Sequence, residues 1–186
     1  MIMIMSLSFV DHLLQLPGTT RALAKDALLF ERGDPVKNLF LVSRGEVHLL
    51  RRQIDGAAFI LQRASHNAIL AEASLMSDSY HCSAVAISDC QITAWPKTMV
   101  RNLVAQNIAA TQAYAAYLAT EVRLARLRGE IASLRRVSDR LDAWLAWHDG
   151  ALPDRGGWHH VAREINISPE ALYRELARRR RQTGGN

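Results

Sequence analysis

Three textures of hydrophobic and polar positions succeed one another along the chain. Residues 6–24 read as a short helical lead, and from about Ala27 to Pro96 the apolar residues come in short runs punctuated by glycine. Such runs predict strands at Leu39–Val42, Val47–Leu50, Ala57–Leu61, Ser83–Ile87 and Gln91–Trp95. Turns are expected at Gly33-Asp34-Pro35, Arg44-Gly45-Glu46 and Asp55-Gly56. Regular spacing of this kind predicts a sandwich or barrel. After Pro96 the sequence turns alanine-rich and nearly free of glycine, and one long helix is expected from roughly Lys97 to Leu134.

On that helix Tyr117, Thr120, Leu124, Leu127, Ile131 and Leu134 recur at three- and four-residue steps among arginines, which reads as a coiled-coil dimer seam. A second stripe, Tyr114, Leu118, Val122 and Ala125, occupies a neighbouring face. The plainer alternative packs both stripes onto the β domain of the same chain, but two apolar faces on so long a helix favour a subunit interface as well. Val137-Ser138-Asp139 offers an N-cap and a fresh start, Leu141, Trp144 and Leu145 open the next domain, and Asp149–Gly157 reads as a loop.

From His160 to Arg181 the pattern is two short helices around a tight turn. Val161, Ala162 and Ile165 share one buried face, and Asn166 supplies the turn. Ser168 is a good N-cap, Pro169 stands at the first helical position where its missing N–H costs nothing, and Glu170 lies near the positive end of the helix dipole. Leu172 and Leu176 face inward. Pro169, Glu170, Tyr173, Arg174 and Arg178 then form the outer face, where a recognition helix meets base edges, and Arg174 is the best guanine reader among them. A helical hairpin with a solvated basic face is the bland alternative.

Charge favours the first reading. Residues 1–100 hold 9 Lys and Arg against 9 Asp and Glu, whereas residues 101–186 hold 14 against 9 and so carry the whole formal net charge of +5. The C-terminal half is therefore suited to a polyanionic partner, double-stranded DNA. Arg178–Arg181 either contact phosphates or form a solvated helix end.

The length of 186 residues and 49% hydrophobic content support one medium and one small domain. The expected division is a β-rich sensor at 1–97, a dimerisation helix at 98–137 and a helix-turn-helix domain at 138–186. MIMIM lacks the features of a signal peptide, and no apolar run reaches membrane-spanning length, so a cytoplasmic location and no membrane partner are expected. Two cysteines, Cys82 and Cys90, are too few for a disulfide scaffold or a four-thiolate metal site.

A β-roll with the turns GDP and RGE, the segment AEASL at Ala71–Leu75, a long helix, a hinge and the segment SPEALYREL together resemble the Crp/Fnr family of bacterial transcription regulators. The resemblance spans roughly residues 20–181. It implies an α+β chain that forms a homodimer, holds an effector in a jelly-roll-like β-roll against the long helix, and reads a palindromic operator, with RNA polymerase as a further candidate partner. Glu170 and Arg174 match the family's base-reading Glu and Arg, and Ser168 its phosphate-contacting cap. Pro169 occupies a variable position, where its ring offers only shape or contact with a thymine methyl.

Two departures alter the expectation. Cyclic-nucleotide-binding members have Gly-Glu-x-x-Leu followed by an Arg whose guanidinium grips the cyclic phosphate. Here the matching pocket residues are Ala71, Glu72 and Leu75, then Cys82, Ser83 and Ala84, so the arginine position is a neutral thiol. High-affinity cyclic AMP binding is not expected. The family also follows its recognition helix with a β-hairpin wing, whereas the sequence ends in RRRRQTGGN, and most or all of the wing is expected to be missing.

The most reactive chemistry left in the pocket is His81 and Cys82 with Glu72, weak candidates for a soft metal ion such as Cu(I) or Zn(II), or for thiol-redox sensing. Neighbours on a strand point to opposite faces, so the plainer expectation is a pocket-wall histidine and a buried apolar cysteine. Cys90 is expected to be a core thiol, His66 solvated, and His159 and His160 to diverge on their helix. The four tryptophans, Trp95, Trp144, Trp147 and Trp158, read as core. Cupin enzymes share a similar β-roll but need His-x-His with a following Glu, whereas His48 stands alone. No Gly-rich phosphate loop or nucleophile elbow occurs either. A non-enzymatic regulator is the favoured reading, and a sensor or partner-binding protein without DNA binding is the alternative.

Overall fold

The computed structural model describes residues 7–52 and 58–183, so the Asp55-Gly56 turn and Ala57 lie outside the described residues. The chain forms two compact units, Met1–Leu118 and Ala119–Asn186.

The first unit contains helix α1 (Phe9–Leu14) and strands β1 (Thr19–Leu23), β2 (Leu28–Phe30), β3 (Asn38–Arg44) and β4 (Val47–Arg52). Strands β5 (Ala58–Ala64), β6 (Ile69–Leu70), β7 (Ser83–Ala86) and β8 (Cys90–Pro96) follow, then α2 (Lys97–Gln106) and the start of α3 (Ile108–Ser133). The strands pair antiparallel in two four-stranded sheets, ordered β1-β8-β3-β6 and β2-β7-β4-β5. The α+β class and the β-roll are as the sequence predicts.

Strand β3 shows why the roll closes. Its four consecutive buried residues point alternately to two cores. Phe40 and Val42 join Phe30, Leu49, Tyr80, Ala84 and Ile92 between the sheets, where the Phe30 and Tyr80 rings stack with centroids 4.0 Å apart. Leu39 and Leu41 join Ile69 and Trp95 on the opposite face, which is covered by Phe9, Leu13, Val100, Val104 and Tyr114 from the helices. Glycine is required at Gly45, where φ is +88° and a Cβ would come within 2.5 Å of the Asp89 carbonyl oxygen.

Two expectations are corrected here. Residues 6–24 are not all helical. The helix covers only Phe9–Leu14, opened by a capping box between Ser8 and Asp11, and Thr19–Leu23 is strand β1. Its β-branched residues pair with β8, the Thr20 and Thr93 hydroxyl oxygens lying 2.9 Å apart. The long helix is likewise two helices. Asn107 between them is extended (φ −121°, ψ 106°), and its side-chain Oδ1 accepts a hydrogen bond from the Ala110 N–H at 3.0 Å, capping α3.

The second unit holds the remainder of α3, then α4 (Val137–Trp147), a 3-10 turn at Arg155–Gly157, α5 (Trp158–Glu164) and α6 (Pro169–Thr183). Leu127, Ile131, Leu141, Trp144, Trp158, Val161, Ala162, Ile165, Leu172 and Leu176 make its core. Helix α4 begins after Arg136, whose backbone is extended, and Ser138 lies inside the helix instead of capping it. Trp147 is also corrected, since it is 44% exposed while the other three tryptophans are buried. Among the described residues no helix is long and apolar enough to cross a membrane.

Candidate nucleic-acid interface and effector pocket

Helices α5 and α6 meet through Ala162, which is fully buried and small enough to let them approach closely. Asn166 adopts a left-handed φ of 55°, a conformation asparagine tolerates better than most residues, and reverses the chain. The Ile167 N–H donates to the Ala162 carbonyl at 2.9 Å, closing the end of α5. The Ser168 hydroxyl accepts from the Ala171 N–H at 3.2 Å, so Ser168 caps α6 and Pro169 opens it. Hydrogen bonds from its own backbone N–H and from Ser168 hold the Glu170 carboxyl below the usual carboxylate range.

With Leu172 and Leu176 turned into the core, Pro169, Glu170, Tyr173 and Arg174 are exposed together at the start of α6. Tyr173 leans against Trp158 at 5.3 Å, the Arg155 guanidinium lies 5.8 Å from the Tyr173 ring, and that of Arg180 lies 5.3 Å from Trp158. This alternation of cations and rings pre-positions two guanidinium groups. Arg155 is not among the sequence candidates, because only folding brings its loop to α6.

The arginine run is less open than its sequence suggests. Arg178 grips Glu175 through Nε at 2.9 Å and Nη2 at 2.7 Å. Arg179 donates to Glu175 at 2.8 Å, to Asp142 at 2.6 Å and to the Ser138 carbonyl at 3.0 Å. Glu175 is buried, and the two guanidinium groups, Arg178 foremost, bring its carboxyl down to about 2. Arg178 is thus exposed but engaged within its own helix, and Arg179 fastens α6 to α4. Arg140 of α4 likewise donates to the Leu134 carbonyl at 2.8 Å and the Asn166 carbonyl at 2.9 Å, tying the end of α3 to the α5–α6 turn.

In the first unit the AEASL segment begins at Ala71, which is buried at a left-handed φ of 69°. Glu72 is buried, and its backbone carbonyl accepts from the Tyr114 hydroxyl at 2.9 Å. Cys82 is 2% exposed, and burial, aided by the Glu72 charge, pushes its thiol up to about 11. His81 points elsewhere, with Nδ1 3.0 Å from the Ser74 hydroxyl, and burial and the Arg51 charge lower its pKa. Ser83 accepts from the Arg32 N–H at 3.0 Å. The thiol is therefore not activated by the neighbouring imidazole. Among the described residues no group of three or more His, Cys, Asp or Glu could hold a metal ion.

Cys90 is buried, with Sγ 3.2 Å from the Ser88 carbonyl. His66 is exposed and sits 2.8 Å from the Ser43 carbonyl. His159 and His160 do not diverge, since their ring centroids lie 3.9 Å apart.

The six seam positions separate. Tyr117 is partly buried in the first unit, where its hydroxyl accepts from the Ile69 N–H at 3.2 Å. Leu127 and Ile131 are buried in the core of the second unit. Leu124 and Leu134 are half-buried, and Thr120 is exposed. On the second stripe Tyr114 is buried, Leu118 half-buried, and Val122 and Ala125 exposed.

Residues 20–107 match the family model described as the cyclic nucleotide-binding domain. No curated protein sequence matches the chain. Among solved structures, FixK2 from Bradyrhizobium japonicum has a TM-score of 0.68 at 18% identity, covering 90% of this chain and 87% of that one. The c-di-GMP responsive global regulator CLP from Xanthomonas campestris has a TM-score of 0.58 at 19% identity, covering 94% and 92%. A transcriptional regulator of the CRP family from Thermus thermophilus has a TM-score of 0.56 at 18% identity, covering 88% and 85%.

Proposed function

Since residues 20–107 form a cyclic nucleotide-binding-type domain in a chain with the Crp/Fnr fold, we propose that this protein is a DNA-binding transcription regulator, acting in the cytoplasm as a homodimer. The observation that carries the reading is the start of α6. An N-capped helix, supported by α5, presents Glu170, Tyr173 and Arg174 to solvent from a fully packed core. That is the geometry with which a recognition helix enters a major groove, and the Arg174 guanidinium can donate two hydrogen bonds to the O6 and N7 edge of guanine. Two such helices in a dimer read a palindrome.

The β-roll senses a small effector other than cyclic AMP. A buried thiol that stays neutral to about pH 11 takes the place where cyclic-nucleotide binders carry a guanidinium, so a buried phosphate would lose its charged partner. Phosphate contacts of the DNA-binding unit come from Arg155, Arg180 and Arg181, because Arg178 and Arg179 are occupied by Glu175 and Asp142. DNA binding should therefore depend less on salt than the number of arginines suggests.

The test is selection of binding sites from random double-stranded DNA by the purified protein, with Arg174→Ala alongside. A palindrome enriched by the wild type and lost in the variant supports the regulator. If no sequence is enriched at low or moderate salt, with or without cell extract as a source of effector, the DNA-binding reading fails and a partner-binding sensor takes its place.

A further inference from the structure

A tyrosine shown to solvent at the start of a recognition helix would ordinarily be assigned to the bases, through ring contact with a thymine methyl. The contacts of Tyr173 assign it elsewhere. Glu170 and Arg174 stand one turn apart on a single ridge of α6, whereas Tyr173 and Arg180 lie on the flank turned toward α5, where both meet the ring of Trp158. The Tyr173 and Trp158 rings are 5.3 Å apart and inclined by 53°, and the Arg155 guanidinium lies over the Tyr173 ring at 5.8 Å from its centroid. Tyr173 therefore has two partners within the protein before any DNA arrives.

The support beneath this contact is rigid. Trp158 is buried and its indole N–H donates to the Pro153 carbonyl at 3.0 Å, while the Gly157 N–H donates to the Asp154 carbonyl at 2.7 Å, so the 3-10 turn that carries Arg155 is fastened on both sides. Among the described residues the Arg155 guanidinium makes no ion pair and no hydrogen bond, in contrast to Arg178 and Arg179. The Tyr173 ring is then what fixes its direction, and all five of its donors stay available. A cation over an exposed ring gains enough to favour that placement about two- to fivefold. Trp158 opens the first helix of the motif, the one that crosses the DNA backbone, so a guanidinium held beside it stands at the phosphates and not in the groove.

We propose that Tyr173 is a positioning residue: its ring, packed on Trp158, holds the Arg155 guanidinium against a backbone phosphate beside the groove that Arg174 reads, and takes no part in reading bases. The proposal deepens the DNA-binding reading and rests on it for the source of the phosphate.

The experiment follows binding of the full chain to a fluorescein-labelled random-sequence duplex by anisotropy from about 50 to 200 mM salt, with operator selection run on the same variants. Arg155→Gln should flatten the slope of log K against log salt by about 0.9, so that affinity falls about 3.5-fold less over that range. Tyr173→Leu keeps an apolar contact with Trp158 but has no π face, and should flatten the slope by up to the same amount. Tyr173→Leu combined with Arg155→Gln should do no more than Arg155→Gln alone, because the tyrosine acts through the arginine. Tyr173→Phe, which retains the ring, should restore the wild-type slope, and every Tyr173 variant should select the same operator. An unchanged slope in either single variant, losses that add in the double variant, or a Tyr173→Leu protein that prefers a different base at one position overturns the proposal. If Tyr173→Leu does not fold, ring currents in the wild type decide: the Arg155 Hδ resonances, identified by their loss in Arg155→Gln, must lie upfield of those of solvated arginines, and ordinary positions overturn the contact. A protein that selects a palindrome with the same slope in all variants refutes the positioning role alone. One that binds random DNA with an Arg155-dependent slope but selects no sequence supports the role and refutes the operator reading, and failure to bind either DNA at the lowest salt overturns both.

Discussion

Replacing Glu175 by Gln should make the second unit less stable near neutral pH and, at the same time, a stronger binder of DNA. Glu175 is buried and receives three hydrogen bonds from Arg178 and Arg179. With its carboxyl at about 2 in the folded chain against an ordinary 4.5, linkage sets an upper limit of about 3 kcal/mol on the stability the charge supplies at pH 7. The Arg178 side chain is 48% exposed, and solvent screening reduces that figure to about 1–2 kcal/mol. Because the folded pKa is the lower one, the stabilisation is complete above about pH 4.5 and disappears as the pH falls through about 2. Urea denaturation from pH 7 to pH 2.5 should therefore show the wild type losing about 1–2 kcal/mol more than Glu175→Gln, the other carboxylates titrating alike in both. The same substitution releases the Arg178 guanidinium, Arg179 remaining on Asp142 and the Ser138 carbonyl, and if Arg178 then reaches a phosphate the slope of log K against log salt steepens by up to about 0.9. Identical pH dependence in the two proteins would refute the ion-pair reasoning, and an unchanged salt slope would refute the view that Glu175 withholds Arg178 from DNA.

Ser168→Ala removes the cap of α6 and should lower the stability of the second unit by about 1 kcal/mol, read from its denaturation midpoint; no change would show that the Ala171 N–H is equally well satisfied by water. Leu127→Ala and Ile131→Ala should each cost about 2–4 kcal/mol, because both side chains lie in the core of the second unit. Sedimentation of Leu127→Arg would then report unfolding, and a folded monomer would instead restore this residue to an intersubunit seam. Cys82 should react slowly with iodoacetamide at pH 8 and accelerate only as the pH approaches 11, so rapid labelling of the native protein at pH 8 would refute its burial as a neutral thiol.

Local signals make much of the second unit legible. Ser168, Pro169 and Asn166 act within a few residues of themselves, through a side-chain oxygen, a fixed φ and tolerance of a left-handed backbone, so residue type is enough to place the turn and the start of α6. The i,i+3 and i,i+4 spacing of Glu175 with Arg178 and Arg179 is equally visible, and reading the run of arginines for charge alone misses it. Strands with clear apolar runs are also readable. Strands β1, β2 and β6 are not, because their residues are too few, or too polar, to show a period without the neighbour that pairs with them.

By itself the sequence determined the order of parts, the charge asymmetry and the Ser168 cap of α6, since each depends on a residue's own chemistry or on partners within one turn of chain. Tertiary structure alone decided what distant residues do to one another. It divided the apolar stripe of α3 among separate cores, coupled Arg179 to Asp142 across 37 positions, and set Leu50 opposite Ser83 by strand register. Burial, register and through-space charge depend on which segments fold together, and for that reason the state of Cys82 and the hold of Asp142 on Arg179 emerge only once the chain is folded.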